Sequence, residues 1–148
     1  MKLIILTKEF YTEYSNWKEI LKKEDRPYAC LEIKLDNLIF AIPFRHHINH
    51  KFAFHTIGES GLDFTKAVVI ANDTYISTDH PTIESAEFAI IKKEEQKIYY
   101  QFQRFLHQYR KAMKRPDVPR NAKLIQYSAL QYFDDYLQDS INWLQRIK

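Results

Sequence analysis

A single cysteine, Cys30, stands among the 148 residues, so no disulfide can form within the chain. It falls in an alternating segment where a small core thiol is expected, and no nucleophile signature surrounds it. Glycine is almost as scarce: Gly58 and Gly61 are the only two. A glycine-rich phosphate-binding loop is therefore absent. A hydrolase elbow of the form Gly-x-Ser-x-Gly is absent too, since Gly58-Glu59-Ser60-Gly61 lacks the closing glycine. No apolar run approaches the ~20 residues that a membrane-spanning helix needs. Met1 to Leu6 is too short for a signal peptide and reads as a first strand, so a cytoplasmic protein is expected. Acid is missing locally, with no Asp or Glu from Leu38 to Gly58.

What is present describes a folded protein. Apolar residues make up 45% and aromatics 15%, with ten Tyr and ten Phe, too rich for a disordered chain. The length suits one domain over residues 1–148. Net charge is only +3, but it is unevenly spread. Arg104, Arg110, Lys111, Lys114, Arg115, Arg120 and Lys123 lie in one stretch with Asp117 as the sole acid. Such a run reads either as a solvated helix face and loop or as a surface that tracks phosphates.

Hydrophobic periodicity gives the element order. Leu3 to Leu6 is apolar on both faces and reads as a central strand. Phe10, Tyr14, Trp17 and Leu21 predict an amphipathic helix over Lys8 to Lys22, capped by Thr7. Tyr28 to Leu35 alternates, Asp36-Asn37 is a tight turn, and Leu38 to Ile42 returns as its partner. That hairpin places Tyr28 beside Arg45. His46 to Gly61 reads as loop or irregular strand, and Phe64 to Ala71 as a buried strand. Asn72-Asp73 then turns into a strand at Thr74 to Ser77, with a brief pairing segment at Pro81 to Glu84. Ser85 to Lys114 is helical with a break near Lys92-Lys93, its stripe being Ile98, Phe102, Phe105, Leu106, Tyr109 and Met113. Pro116 and Pro119 end it. Lys123 to Tyr127 reads as a last strand, with continuous helix from Asn121 as the competing reading, and Ser128 caps a final helix. The class is α+β: a mostly antiparallel, strongly twisted sheet packed with three to four helices.

The chemistry concentrates in Arg45-His46-His47-Ile48-Asn49-His50-Lys51. His46 and His50 have the i, i+4 spacing of a zinc-protease helix, but His47-Ile48-Asn49 between them lacks the Glu such an enzyme uses as base. No acidic ligand is near in sequence, and Arg45 and Lys51 would repel a cation, so neither a metal nor another cofactor is expected. The same residue types suit metal-free RNA cleavage. There a ribose 2′-OH attacks the adjacent phosphorus and leaves a 2′,3′-cyclic phosphate. Imidazoles can move the protons, while Arg and Lys grip the phosphate and neutralise charge that develops on it. Taken singly, each histidine reads better as a loop residue; the group, with its cations and missing acids, reads as a site.

The order of motifs resembles the toxins of bacterial type III toxin–antitoxin systems, the ToxN/AbiQ-like endoribonucleases, and among them the CptN and TenpN branches. The resemblance rests on Arg26-Pro27-Tyr28, on Phe40-Ala41-Ile42-Pro43-Phe44-Arg45 continuing to Asn49-His50-Lys51-Phe52-Ala53-Phe54, and on Gly61-Leu62-Asp63-Phe64-Thr65-Lys66-Ala67-Val68-Val69-Ile70. Ser128-Ala129-Leu130-Gln131-Tyr132-Phe133 is a weaker echo. The resemblance implies a toxin fold with an SH3-like barrel core and a metal-independent, sequence-selective endoribonuclease acting on cellular mRNA. It also implies inhibition by a repeat-derived, pseudoknotted antitoxin RNA that the toxin cuts from a precursor, with protein and RNA closing into cyclic assemblies. By position, Arg45, His46, His50, Lys51 and Tyr28 carry the implied catalytic roles. Lys51 and Arg45 hold the scissile phosphate, His50 leads proton transfer with His46 as partner, and Tyr28 positions phosphate or ribose. Related sequences more often have Ser at the place of His46, which shifts weight to His50 and Lys51. Arg26, Asn49, His55, Asp63 and Lys66, with the 104–123 cations, are expected to contact RNA; for Asp63 a turn role competes.

Overall fold

A computed structural model describes residues 2–21 and 28–138. It contains a six-stranded antiparallel sheet and helices packed on it, the α+β class expected. The strands are β1 (Lys2–Ile5), β2 (Ala29–Leu35), β3 (Leu38–Arg45), β4 (Ala53–His55), β5 (Gly61–Asp63) and β6 (Val68–Val69). The sheet order is β1-β2-β3-β5-β4, with β6 also paired to β3. Among the described residues the sheet is open, not closed into a barrel. β1 lies at one end of that order, not at its centre as expected. Among the described residues, an isolated bridge from Leu6 to Ile76 is all that continues the pairing beyond it.

The β2–β3 hairpin forms as its sequence dictates. Asp36 and Asn37 both take positive φ, 54° and 64°. Those are the left-handed values a two-residue turn demands, and Asp and Asn reach them most easily after glycine. Register follows, with Leu35 opposite Leu38 and Cys30 opposite Pro43. β3 is long enough to serve two partners on its other edge: β6 at Phe40 and Ala41, β5 at Phe44 and Arg45.

The strand expected over Phe64 to Ala71 is instead interrupted. A 3-10 turn at Phe64–Lys66 separates β5 from β6. The cause is Asp63, whose Oδ1 accepts from the Thr65 amide at 3.0 Å and the Thr65 hydroxyl at 2.6 Å. This local side-chain capture competes with the ladder and wins. The Thr74–Ser77 strand is likewise replaced by a 3-10 turn, Asp73–Tyr75, capped by Asn72, and Pro81 to Glu84 forms no strand.

Helix α1 (Lys8–Glu13) is capped by Thr7 as expected but stops far short of Lys22. From Tyr14 the chain continues in i→i+3 bonds, Trp17 to Tyr14 and Ile20 to Trp17. This tighter path lets Trp17 stack on Tyr132 with centroids 4.7 Å apart. Helix α2 (Ser85–Lys93) and helix α3 (Glu95–Lys114) break at Glu94, one residue past the predicted point. The α3 stripe lies on the sheet: Phe102 meets Phe40 at 5.1 Å and Phe105 stacks on Phe64 at 5.9 Å. Met113 alone of the predicted stripe stays partly exposed, its place in the core taken by Ala112. The segment read as a last strand is helix α4 (Pro119–Tyr127). Pro119 stands in its first turn, where a missing N–H costs nothing. Of the two prolines expected to end α3, only Pro116 adjoins its end, just past the C-cap Arg115. After Ser128 the chain makes a 3-10 turn, Ala129–Phe133, and a helical stretch over 134–138. No helix among the described residues is long and apolar enough to cross a membrane.

Candidate functional site

The end of β3, the loop after it and the start of the Asp63 turn meet α3 and α4 around a cleft of about 480 Å³. Its lining holds Arg45, His50, Lys51, Lys66, Arg120 and Lys123, with Phe52, Thr65, Gln108, Asn121, Leu124 and Tyr127. Among the described residues no Asp or Glu lines it. A second lobe of about 400 Å³ continues from it through Lys51, Phe52 and Gln108, and adds Arg104. Residues far apart in sequence thus form one basic groove, with the β3 loop on one wall and α4 on the other.

Asp63 is the anchor beneath. Its side chain is fully buried, yet it binds four groups. Oδ2 accepts from Arg45 Nη1 at 2.7 Å, and Oδ1 faces His50 Nε2 at 3.3 Å in addition to both Thr65 donors. Burial by itself pushes the Asp63 carboxyl up. The hydrogen bonds of His50 and Thr65, the charge His50 carries when protonated, and the Arg45 bond outweigh it, so the net shift is downward. Asp63 therefore stays ionised and holds Arg45 and His50, which are 30% and 33% exposed, at the cleft surface.

His50 is held at both ring nitrogens. Its Nδ1 accepts the Phe52 amide N–H at 3.1 Å while Nε2 points to Asp63. In the neutral ring the proton accordingly sits on Nε2, fixed there by the acceptor opposite. Its backbone carbonyl accepts from His55 Nε2–H at 3.2 Å, which closes the loop on itself. Lys51 lies with Nζ 5.3 Å from the Phe52 ring centroid, a cation-over-ring placement at the junction of the two lobes.

The other predicted residues divide. Lys66 lines the cleft, but its ammonium is bonded to Glu19 at 2.5 Å and to the Tyr127 carbonyl at 2.9 Å, so it ties α4 to the segment after α1. Arg104, Arg120 and Lys123 line the groove. Arg110 does not: it is bonded to Asp36 in the hairpin turn and to the Leu137 carbonyl, and with Lys114 it lines a separate hollow. Arg115 pairs with Asp117 at 3.3 Å in the open, and Lys111 lies exposed outside the groove. The 104–123 stretch is hence no single surface, because α3 turns its cations to different sides.

His46 leaves the cleft as well. It alternates with Arg45 and shares a 2.7 Å hydrogen bond with the Ser60 hydroxyl on another face. Asn49 is exposed and lines neither lobe. Tyr28 lies at the same end of the sheet but in a small recess with Tyr11, Cys30 and Pro43, separated from the cleft by Lys66. Arg26 lies outside the described residues. Cys30 is buried and its thiol is pushed up to about 12 by burial, the inert state expected of a core cysteine. Among the described residues no three His, Cys, Asp or Glu side chains gather to hold an ion.

Sequence reasoning missed Gln108, Asn121 and Tyr127. Their signal was present: Arg120, Lys123 and Tyr127 recur at i, i+3 and i+7, one helix face, visible only once 119–127 is read as helix. No family model, curated protein or solved structure matches this chain.

Proposed function

We propose that this protein is a metal-independent endoribonuclease, the toxin of a bacterial type III toxin–antitoxin system, cutting RNA by 2′-OH attack. The observation that carries this reading is the basic cleft, lined by no acid among the described residues, in which Arg45, His50 and Lys51 converge over a buried carboxylate. The motif resemblance supplies the biological setting: a repeat-derived, pseudoknotted antitoxin RNA, cellular mRNA as substrate, and the cytoplasm as the place of action. It also relates the antiparallel sheet to the SH3-like barrel core of such toxins.

The geometry suggests how the groups would share the work. Arg45, oriented by Asp63, and Lys51 would face the two non-bridging oxygens and stabilise the charge that gathers there. His50 has only one atom able to take the 2′-OH proton, Nδ1, because Nε2 is turned to Asp63. The bond from the Phe52 amide must open first. Asp63 would then hold the imidazolium, as a carboxylate does behind a catalytic histidine. The O2′–P bond forms, the P–O5′ bond breaks, and the Lys51 ammonium would give the 5′-oxygen its proton, to be restored from solvent once the product leaves. His46, on another face, has no part in this scheme.

A non-catalytic RNA-binding module using the same basic face is the second reading, and one observation favours it: both His50 nitrogens are engaged in the described state. Incubation of a mixed-sequence RNA with the purified protein in EDTA tests the two. The endoribonuclease reading expects fragments with 2′,3′-cyclic phosphate ends, a loss of at least about 100-fold in rate for Lys51→Ala or His50→Ala, and retained RNA binding by the His50 variant. Binding without cleavage by the parent protein would turn the assignment to the module. Cleavage that stops in EDTA and returns with zinc would overturn the metal-free mechanism.

A further inference from the structure

We infer that Tyr127 is a stacking platform for an unpaired base, so that the cleft selects single-stranded over duplex RNA. The inference rests on the reading of the cleft as an RNA site and adds what part of the RNA each wall receives.

Tyr127 is one of only five large hydrophobic side chains exposed among the described residues, at 53%. It is the one of these five that lines the cleft. No packing explains its exposure; it is the last residue of α4, while Leu124, one turn earlier, fills the inward position. Its backbone is nevertheless fixed. The Tyr127 carbonyl accepts from Lys66 Nζ at 2.9 Å, and the Ser128 hydroxyl after it donates to the Leu124 carbonyl. The ring thus stands out from a rigid support, which is what a platform needs and a mobile surface tyrosine lacks.

Its neighbours supply the rest of a nucleotide site. Arg120 and Lys123 precede it on the same helix face, and four residues of α-helix place Lys123 about 6 Å along the axis from Tyr127. The α4 wall therefore offers cation, cation and aromatic ring in a row. Across the cleft stand Arg45, His50 and Lys51. A base on the Tyr127 ring leaves its own phosphate on the Lys123 and Arg120 side and points the next linkage towards the Arg45–Lys51 wall. A base already stacked in a duplex has no free face to give the ring, whereas every unpaired base has one. Duplex RNA would meet the cations alone.

Binding of a fluorescent 2′-O-methyl RNA, which lacks the attacking hydroxyl and so cannot be cut, reads this out. The intact protein is titrated with the same oligonucleotide single-stranded and annealed to its complement. The parent should prefer the single strand. Tyr127→Ala should weaken single-strand binding about tenfold, leave duplex binding unchanged and so erase the preference. Tyr127→Phe should behave as the parent, since the ring and not the hydroxyl acts. If Tyr127→Ala binds the single strand as the parent does while the Arg120→Ala, Lys123→Ala double variant binds weakly, the platform is refuted and the RNA cleft stands. A Tyr127→Phe variant as weak as Tyr127→Ala would also refute stacking. If the double variant too binds like the parent, the cleft is not the RNA site and the functional reading falls with it.

Discussion

Asp63 concentrates the cost of the site in one side chain. A fully buried carboxylate is tolerable only when its lone pairs are met, and here Arg45, His50 and Thr65 meet them. Asp63→Asn keeps the shape and removes the charge. It should destabilise the fold by about 2–4 kcal/mol at neutral pH, because the Arg45 guanidinium is left facing a neutral amide. Denaturant unfolding measures this. The pH profile gives the sign: the Asp63 carboxyl lies below its ordinary value in the folded state. Its contribution is therefore fully present above the ordinary carboxylate value of ~3.9 and is lost as pH falls through the lower folded value. The stability gap between parent and Asp63→Asn should be constant near neutrality and close under acid. A gap that persists unchanged well into acid would mean that the charge of Asp63 is not what holds the site together.

At the scale of elements, the site depends on the close pairing of β4 with β5, and that pairing on Gly61. Gly61 sits at φ 158°, opposite His55, and a Cβ there would lie 2.0 Å from the Phe54 carbonyl oxygen. Gly58, at φ 58°, has nothing within 4 Å of the same position. Two glycine-to-alanine variants thus separate two costs. Gly58→Ala meets only the left-handed backbone penalty of roughly 1–2 kcal/mol. Gly61→Ala must also push β4 away from β5, which carries Asp63, and should cost about 3 kcal/mol or more and weaken RNA binding with it. Equal losses from the two variants would remove the close approach as the reason for Gly61. Both glycines were visible in the sequence, but the difference between them was not, since it is made by a strand that Ala53–His55 only hints at. The same holds for the elements generally. The Asp36-Asn37 hairpin, the break in the long helix and the α3 stripe were legible because turn chemistry and 3.6-residue periodicity are local signals. The end of α1 at Glu13 goes with a partner distant in sequence, Tyr132, on which Trp17 stacks. The split of the 64–71 segment is local, made by Asp63 capturing Thr65 against a run of apolar residues that reads as strand. The 119–127 segment is helix, the competing reading from Asn121, with Pro119 in its first turn as the local signal. So the site was half legible: Arg45, His50 and Lys51 lie together in the chain, while the α4 wall reaches them only through the fold.

For the molecule as a whole, the location of charge matters more than its sum. A net +3 would give weak, diffuse attraction to any polyanion, yet Lys51, Arg104, Arg120 and Lys123 all open into one groove that no described acid lines. Arg45 and Lys66 enter the same groove already partnered by Asp63 and Glu19, so they add less to the field. A single strand seated there releases counterions in proportion to the phosphates it brings. With four cations engaged, the affinity for uncuttable RNA should fall with salt along a log–log slope of about −3, each lost contact flattening it by about 0.7. Lys123→Ala and Arg120→Ala should each flatten the slope by that step. Lys111→Ala and Arg115→Ala should leave it unchanged, since Lys111 lies outside the groove and Arg115 is held by Asp117. These four residues belong to one basic run in the sequence, so the comparison sets the folded groove against the linear charge cluster. Equal flattening by all four would mean that RNA follows the run itself rather than the cleft.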